Sequence, residues 1–368
     1  MIQSPPDAGF RSVGQATARR IVQLAVEREQ LGRTLLVHGP SGAGKDAFVD
    51  DLLALFFCTD ADRAARPCNA CRGCREGRTR RHPDLVLGSP EAWRERKSQG
   101  ESIVAAARRW LLDAAGAPVV AERRIVLIEH ADRASEQIQN ALLKSLEEPS
   151  DRHTFVLVAD EPAALLPTIR SRCQPLRIGP VPRAELVAHL MDDRRLPQDL
   201  AESLARISDG LAGTAEAFVE DRARLDWRRR TQLQLLELLE RGRADRFGSV
   251  RDLMDETARG MSAPADGGDE DARTPAAVQR VAATAIVDVW LSLARDLLVA
   301  GSGRPDLAPG AELSDQLEAL AQRIGPGALL EFVAMLERVH EGLAANAAPR
   351  LSLEAAMLGW PMLPRTAR

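Results

Sequence analysis

The sequence predicts a parallel-sheet α/β module followed by an all-helical remainder, and three observations carry that reading. Up to about residue 180, short β-branched runs alternate with helical patterns. The glycine-rich segment Gly39-Pro40-Ser41-Gly42-Ala43-Gly44-Lys45-Asp46 stands between a strand pattern and a helical one. Beyond Gly179-Pro180-Val181-Pro182, which reads as a boundary, no strand pattern recurs and the helical patterns lengthen.

The strand elements come first. Thr34–Val37, Ile125–Ile128 and Phe155–Val158 are apolar runs with few polar residues, the mark of strands buried on both faces in a parallel sheet. Between the last two, Ser135–Glu148 places Ile138, Ala141, Leu142, Ser145 and Leu146 at helical spacing, with Ser145 small rather than apolar. Pro149 stops that helix, and strand–helix–strand makes a βαβ unit. The helix opened by the glycine-rich segment is expected to be amphipathic through Phe48, Leu52, Leu53, Leu55 and Phe56. Residues 183–220 carry two or three short helices broken at Pro197 and Gly210. Long Leu/Ala-rich helices follow over roughly 227–242, 276–300, 311–323 and 327–346. Met261–Pro275 is acidic and glycine-rich, a mobile loop, and Pro364–Arg368 a frayed tail.

At 368 residues the chain is too long for one ordinary core. With 45% hydrophobic and 28% charged residues it is globular rather than disordered. The net charge of -4 excludes a global positive field for nucleic acid, so any DNA contact is local or shared. Of 49 basic residues only Lys45, Lys97 and Lys144 are lysines. Arginine abundance is therefore no functional signal, and a retained lysine says more. No apolar run reaches the ~18–20 residues of a membrane span, and Met1–Pro6 does not read as a signal peptide. The expectation is a cytoplasmic chain with no membrane partner.

In the glycine-rich segment, Gly39, Gly42 and Gly44 let backbone N–H groups turn around phosphate, the helix N-terminus adds positive potential, and Lys45 would reach the terminal phosphates. Asp46 departs from the pattern, because a Ser or Thr hydroxyl normally ligates Mg²⁺ there. The second strand ends in Glu129-His130-Ala131-Asp132. Glu129 could take the metal role, but His130 stands where a water-activating Glu is expected. Two compromised positions argue against hydrolysis; ATP or ADP binding stays open, beside a relic loop that only keeps the fold.

Cys58, Cys68, Cys71 and Cys74 have the spacing C-x9-C-x2-C-x2-C. In a reducing compartment such clustering points to a structural four-thiolate zinc site with no open position for catalysis. An Fe–S cluster and free thiols are the rivals. His82 is a possible alternative ligand, although a lone histidine is more often on the surface.

The segments Ala141-Leu142-Leu143-Lys144-Ser145-Leu146-Glu147-Glu148-Pro149 and Leu166-Pro167-Thr168-Ile169-Arg170-Ser171-Arg172-Cys173 flank the Phe155–Val158 strand. With the phosphate loop and the cysteine insertion, they closely resemble the clamp-loader branch of the AAA+ ATPases, over about residues 30–180. The resemblance implies an AAA+ phosphate-loop module (1–180) with a zinc insertion (58–82), a small helical lid (181–222) and a C-terminal helical collar for oligomerisation (223–368). It implies a subunit of the DNA polymerase III holoenzyme with no ATPase activity of its own. Its partners would be motor (gamma/tau-type) and delta subunits in a ring of five, and through them the sliding clamp and primed DNA.

Where motor subunits carry sensor residues this chain has Ala159-Asp160 and Gly213. The resemblance makes Arg172 a finger reaching the γ-phosphate held by a neighbouring subunit. In an arginine-rich chain the plain alternative is a cap or an ion pair. Two rival functions remain: a hydrolysing motor of the same loader, and a zinc-bearing phosphate-loop module outside replication. The leucine-rich collar helices serve core packing or interfaces equally well. Arg228-Arg229-Arg230 reads as a solvated face rather than a phosphate contact.

Overall fold

A computed structural model describes residues 9–28, 30, 32–147, 149–262, 275–303, 314–345 and 347–363. The expected loop after Met261, the frayed tail and the start of the 311–323 helix fall largely outside these residues. The chain divides into two compact units, Met1–Ala217 and Phe218–Arg368.

The first unit runs α1 (Ala16–Glu27), β1 (Thr34–His38), α2 (Lys45–Phe57), α3 (Arg72–Arg78), β2 (Leu85–Gly88), α4 (Pro90–Glu95), α5 (Ile103–Ala114), β3 (Arg124–Ile128), α6 (Glu136–Glu147), β4 (His153–Ala159), α7 (Pro167–Arg170), β5 (Gln174–Arg177), then α8 (Arg183–Asp192), α9 (Gln198–Ile207) and α10 (Ala212–Glu220). All five strands are parallel, in the order β2-β3-β4-β1-β5. Alternate residues face opposite layers. Leu35, Val37, Ile125, Leu127, Val156 and Val158 pack with α1 and α2, while Leu36, Val126, Ile128, Phe155 and Leu157 pack with α5 and α6. The result is a three-layer α/β/α sandwich.

Three differences from the sequence expectations have physical causes. Helix α2 is not amphipathic: Phe48, Val49, Asp51, Leu52, Leu53, Ala54, Leu55 and Phe57 are all buried, because α3 covers the side that would have met water. Strands β2 and β5 were not legible; both are short and lie at the sheet edges, and β5 contains Pro175. Helix α1 also escaped the reading. Its start is fixed by Gln15, whose amide donates to Gly179 O at 2.7 Å and whose side-chain oxygen accepts from Gly179 N at 3.1 Å.

Helices α8 to α10 match the predicted breaks at Pro197 and Gly210. They are tied by His189, which bonds Glu216 at 2.5 Å and Asp193 at 2.7 Å. The Glu216 hydrogen bond raises the His189 pKa against the opposing effect of burial. For Glu216, burial pushes upward, yet His189 and Arg194 bring the carboxyl below its usual 4.5. A raised histidine stabilises fully below its unfolded value of 6.5 and loses that contribution as pH rises through the folded value. A depressed carboxylate stabilises above 4.5 and loses it on acidification. The cluster should therefore contribute most between those two values. The unfolding free energy of the first unit, followed through its denaturant midpoint, should fall by about 1 kcal/mol on going from pH 6 to 8.5, the size of a charge-assisted bond. In His189→Gln that part of the slope should vanish.

The second unit contains α11 (Arg222–Glu237), α12 (Arg243–Ser262), α13 (Pro275–Gly301), α14 (Ser314–Ile324), α15 (Pro326–Ala344) and α16 (Pro349–Gly359). Its core gathers Leu235, Leu239, Trp290, Leu293, Leu297, Phe332, Leu336 and Trp360. Most of the predicted leucine stripes are thus intramolecular core, whereas Leu330 is 58% exposed. Among the described residues no single helix is long and apolar enough to cross a membrane. The basic run is not uniformly solvated: Arg228 is half-buried and donates to Ser292 Oγ at 2.6 Å.

Candidate nucleotide site, cysteine cluster and arginine turn

The phosphate loop joins β1 to α2, with Gly42 and Gly44 at φ 78 and 92. Lys45 is buried and already engaged. Its ammonium donates to the loop's own carbonyls, Gly39 O at 2.7 Å and Pro40 O at 2.8 Å, and pairs with Asp160 at 2.6 Å. Asp160 sits just past the end of β4 and its backbone N–H is held by Asp132 Oδ2 at 3.0 Å. The lysine charge is thereby spent inside the chain.

The carboxylates that could meet a magnesium ion are engaged as well. Arg80 Nε donates to Asp50 Oδ1 at 2.7 Å, Nη1 to Glu129 Oε1 at 2.5 Å, and Nη2 lies 3.3 Å from Asp46 Oδ1. Burial opposes the Arg80 charge, but these carboxylates hold its pKa above the ordinary value. Burial also pushes the Asp50 carboxyl up, a shift that Arg80 resists. Asp46 is otherwise turned outward, its side chain 85% exposed. His130 takes a left-handed turn at φ 49 after Glu129. The start of α10 closes the loop from above: Thr214 N donates to Gly42 O at 3.0 Å. A side-chain Cβ at Gly213 would stand 3.0 Å from Gly42 O and 3.1 Å from Gly44 N, leaving it no room for an arginine's first carbon without movement.

The four cysteines converge. Their sulfur atoms all lie within 4.8 Å of one another, and Cys68 and Cys74 are 4.0 Å apart. A tetrahedral four-thiolate zinc has sulfurs about 3.8 Å apart, so only a small contraction is needed. Cys58 ends α2 and Cys71 caps α3. The Cys68 N–H points to Cys58 Sγ at 3.4 Å and the Cys74 N–H to Cys71 Sγ at 3.3 Å, donors that favour thiolate. Burial pushes the Cys58 and Cys74 thiols up. At Cys71 burial also pushes up, but hydrogen bonds from Thr59 and Cys74 prevail and bring it to about 6. The donor set fits zinc. His82 is neither a ligand candidate nor on the surface: it is buried, stacked on Phe57 at 3.7 Å, and its Nδ1 accepts from Asp84 N.

Arg172 follows α7 at the start of β5. It pairs with Glu147 at 2.7 Å, donates to Thr168 O at 2.9 Å, and borders an open cavity of about 580 Å³ with Arg33 and Gln174. It lies at the edge of the sheet where the parallel strands begin; the phosphate loop, Glu129 and Asp160 lie where they end. Five residues of β1 separate the two edges, about 16 Å of strand. Arg172 and the chain's own phosphate loop are therefore not brought together. Cys173 is buried, its thiol pushed up to about 11, which suits packing rather than nucleophilic chemistry.

In the sequence Arg80 reads as one of several arginines that offset the charge of a four-thiolate site; its place on Asp50, Glu129 and Asp46 is a finding of the structure. It stands in an arginine-rich stretch, Arg72 to Arg81, and its left-handed φ of 55 is where a glycine would be expected. One signal was present: Asp46 and Asp50 are four apart on one helix, an acidic face needing a cation.

Known proteins resemble the chain in sequence. The family described as DNA polymerase III, delta subunit, matches residues 14–182. The DNA polymerase III subunit delta' of Bacillus subtilis is 29% identical over 65% of this chain and 69% of its own length. That of Haemophilus influenzae is 30% identical over 58% of this chain and 67% of its own. The subunit gamma/tau of Mycobacterium bovis is 25% identical over 93% of this chain but 59% of its own. The chain thus spans about two thirds of these relatives' length or less. Identity of 30% with a relative matched over two thirds of its length, on a phosphate-loop α/β sandwich, settles the affiliation: the chain belongs to the delta-prime family of DNA polymerase III clamp-loader subunits.

Proposed function

We propose that the chain is the non-hydrolysing stator of a clamp loader, helping motor (gamma/tau-type) and delta subunits place a sliding clamp on primed DNA. In this reading Arg172 serves the γ-phosphate held by the next subunit, residues 181–222 form a lid, and residues 223–368 form the collar of a five-membered ring. The observation that carries it is the position of Arg172 at the sheet edge opposite its own phosphate loop. A guanidinium placed there can meet a nucleotide only across an interface. The internal use of Lys45 by Asp160 supports the silent half of the reading.

The test is reconstitution. Wild-type chain mixed with motor and delta subunits should restore clamp loading and DNA-stimulated ATPase. The chain alone should turn over no ATP. Steady turnover by the lone chain, abolished by Lys45→Ala, would instead make it a motor, the reading that the gamma/tau similarity favours.

Cys58, Cys68, Cys71 and Cys74 would hold a structural zinc, which ties the end of α2 to α3. Metal analysis of purified chain should give about one zinc per chain, falling to near zero in Cys74→Ser. Because ligand thiols must be deprotonated, zinc should be released as pH falls. A full complement of zinc in Cys74→Ser would refute the assignment.

A further inference from the structure

We propose that Arg80 is an internal plug of the nucleotide site: its guanidinium occupies the carboxylate cage that a magnesium–nucleotide complex would need, and its removal lets that complex bind the phosphate loop. The idea deepens the silent-site reading and rests on it.

Asp46 lies next to the loop lysine, Asp50 one helical turn further along α2, and Glu129 at the end of β3. Glu129 holds the position where such a site takes its metal, and Asp46 and Asp50 share its cation on the face of α2. One side chain spans all three, with Nε on Asp50, Nη1 on Glu129 and Nη2 toward Asp46. A planar fork of donors suits carboxylates and holds them in fixed directions. A magnesium ion is bound through one or two carboxylates plus phosphates and waters, so an ion taken by Glu129 competes with the guanidinium for that oxygen.

The plug is also held from behind. Its neighbour Arg78 pairs with Asp51, which is fully buried, at 2.5 Å and donates to Gly9 O at 2.8 Å. Asp51 in turn accepts from the backbone N–H groups of Arg11 and Ser12 at 2.9 and 2.7 Å. Helix α3, which leads into Arg80, packs along α2 and starts at the cysteine cluster. Arg80 itself sits at φ 55, a conformation that costs a non-glycine residue about 1 kcal/mol or more. The surroundings keep it there.

The experiment measures binding of a fluorescent ATP analogue to full-length chain, with magnesium and with EDTA. Wild type, Arg80→Gly, Arg80→Gln and the double variant Arg80→Gly/Lys45→Ala are compared, each checked for native circular dichroism. Glycine suits the local φ, and glutamine retains bulk without charge, so a folded plug-free chain is available. Magnesium-dependent affinity should rise at least about tenfold in Arg80→Gly. It should be lost again in the double variant, which ties the gain to the phosphate loop. Unchanged affinity in the folded Arg80 variants overturns the proposal. So does tight binding by wild type, with or without magnesium. Turnover by the wild-type chain alone strikes the silent-site reading instead, so the two failures are distinguishable.

Discussion

Arg172→Ala should lower ATP turnover at the neighbouring site of the assembled loader by about 10³-fold or more, the size of effect that a finger arginine has on phosphoryl transfer. The chain's own fold should be untouched. In the free chain Arg172 is partnered by Glu147, with side chains 36% and 44% exposed. Exposed pairs of this kind contribute about 0.2–1 kcal/mol. Breaking the pair on assembly is therefore cheap against the several kcal/mol a finger supplies in the transition state. It follows that Glu147→Gln should leave turnover close to wild type, whereas Arg172→Lys should not rescue, since a point charge lacks the planar fork. The measurement is steady-state ATPase of the reconstituted loader with primed DNA, with subunit assembly followed by gel filtration. Normal assembly with undiminished turnover in Arg172→Ala would remove the finger role.

The second large effect is on stability. Arg246 is 2% exposed in the core of the second unit. Its Nε donates to Leu238 O at 2.9 Å and Arg241 O at 3.2 Å, Nη1 to Trp360 O at 2.5 Å and Met357 O at 3.3 Å, and Nη2 to Pro361 O at 2.7 Å and Leu239 O at 3.5 Å. These carbonyls belong to the turn after α11 and the end of α16, where helices leave acceptors without intrahelical partners. One cation thus satisfies two helix ends and sits at the negative end of both dipoles. Burial lowers its pKa, but the carbonyl ring compensates the charge. Arg246→Met keeps much of the volume and removes the donors to Arg241, Met357, Trp360 and Pro361 O, while Leu239 O keeps Leu363 N at 2.8 Å and Leu238 O keeps Arg241 N at 3.3 Å. The expected loss is about 2–4 kcal/mol, the cost of leaving a few buried neutral acceptors without a donor. Trp290 and Trp360 lie in the same core, so tryptophan fluorescence during urea unfolding reads the effect directly. A midpoint unchanged in Arg246→Met would show that water, not the guanidinium, can serve those carbonyls.

What could be read from the sequence was whatever a short window encodes. The phosphate loop, the cysteine spacing, strands β1, β3 and β4 and helix α6 each carry their signal within about a dozen residues. Edge strands β2 and β5 carry too few apolar positions to stand out. Helix α12 was missed because Arg243–Ser262 is charged throughout and interrupted by Gly248 and Gly260; packing, not local propensity, makes it helical. Helix α16 begins at a proline and shows only three turns. The ion pairs that define the nucleotide site were hidden for a different reason. Arg80 meets Glu129 across 49 residues, and Lys45 meets Asp160 from the far end of another strand. Such pairings exist only once the sheet has brought strand ends together. Arg172 was legible as a residue, but its location at the opposite edge was not.

That opposition of edges gives the chain a polarity. Contacts that join one subunit's front to the next subunit's back propagate in a single direction, because the same patch is never used by both members. In the proposed role, a protomer that gives at one side and is closed to receiving at the other would stand at the end of the series of nucleotide sites, and would fix which way that series runs.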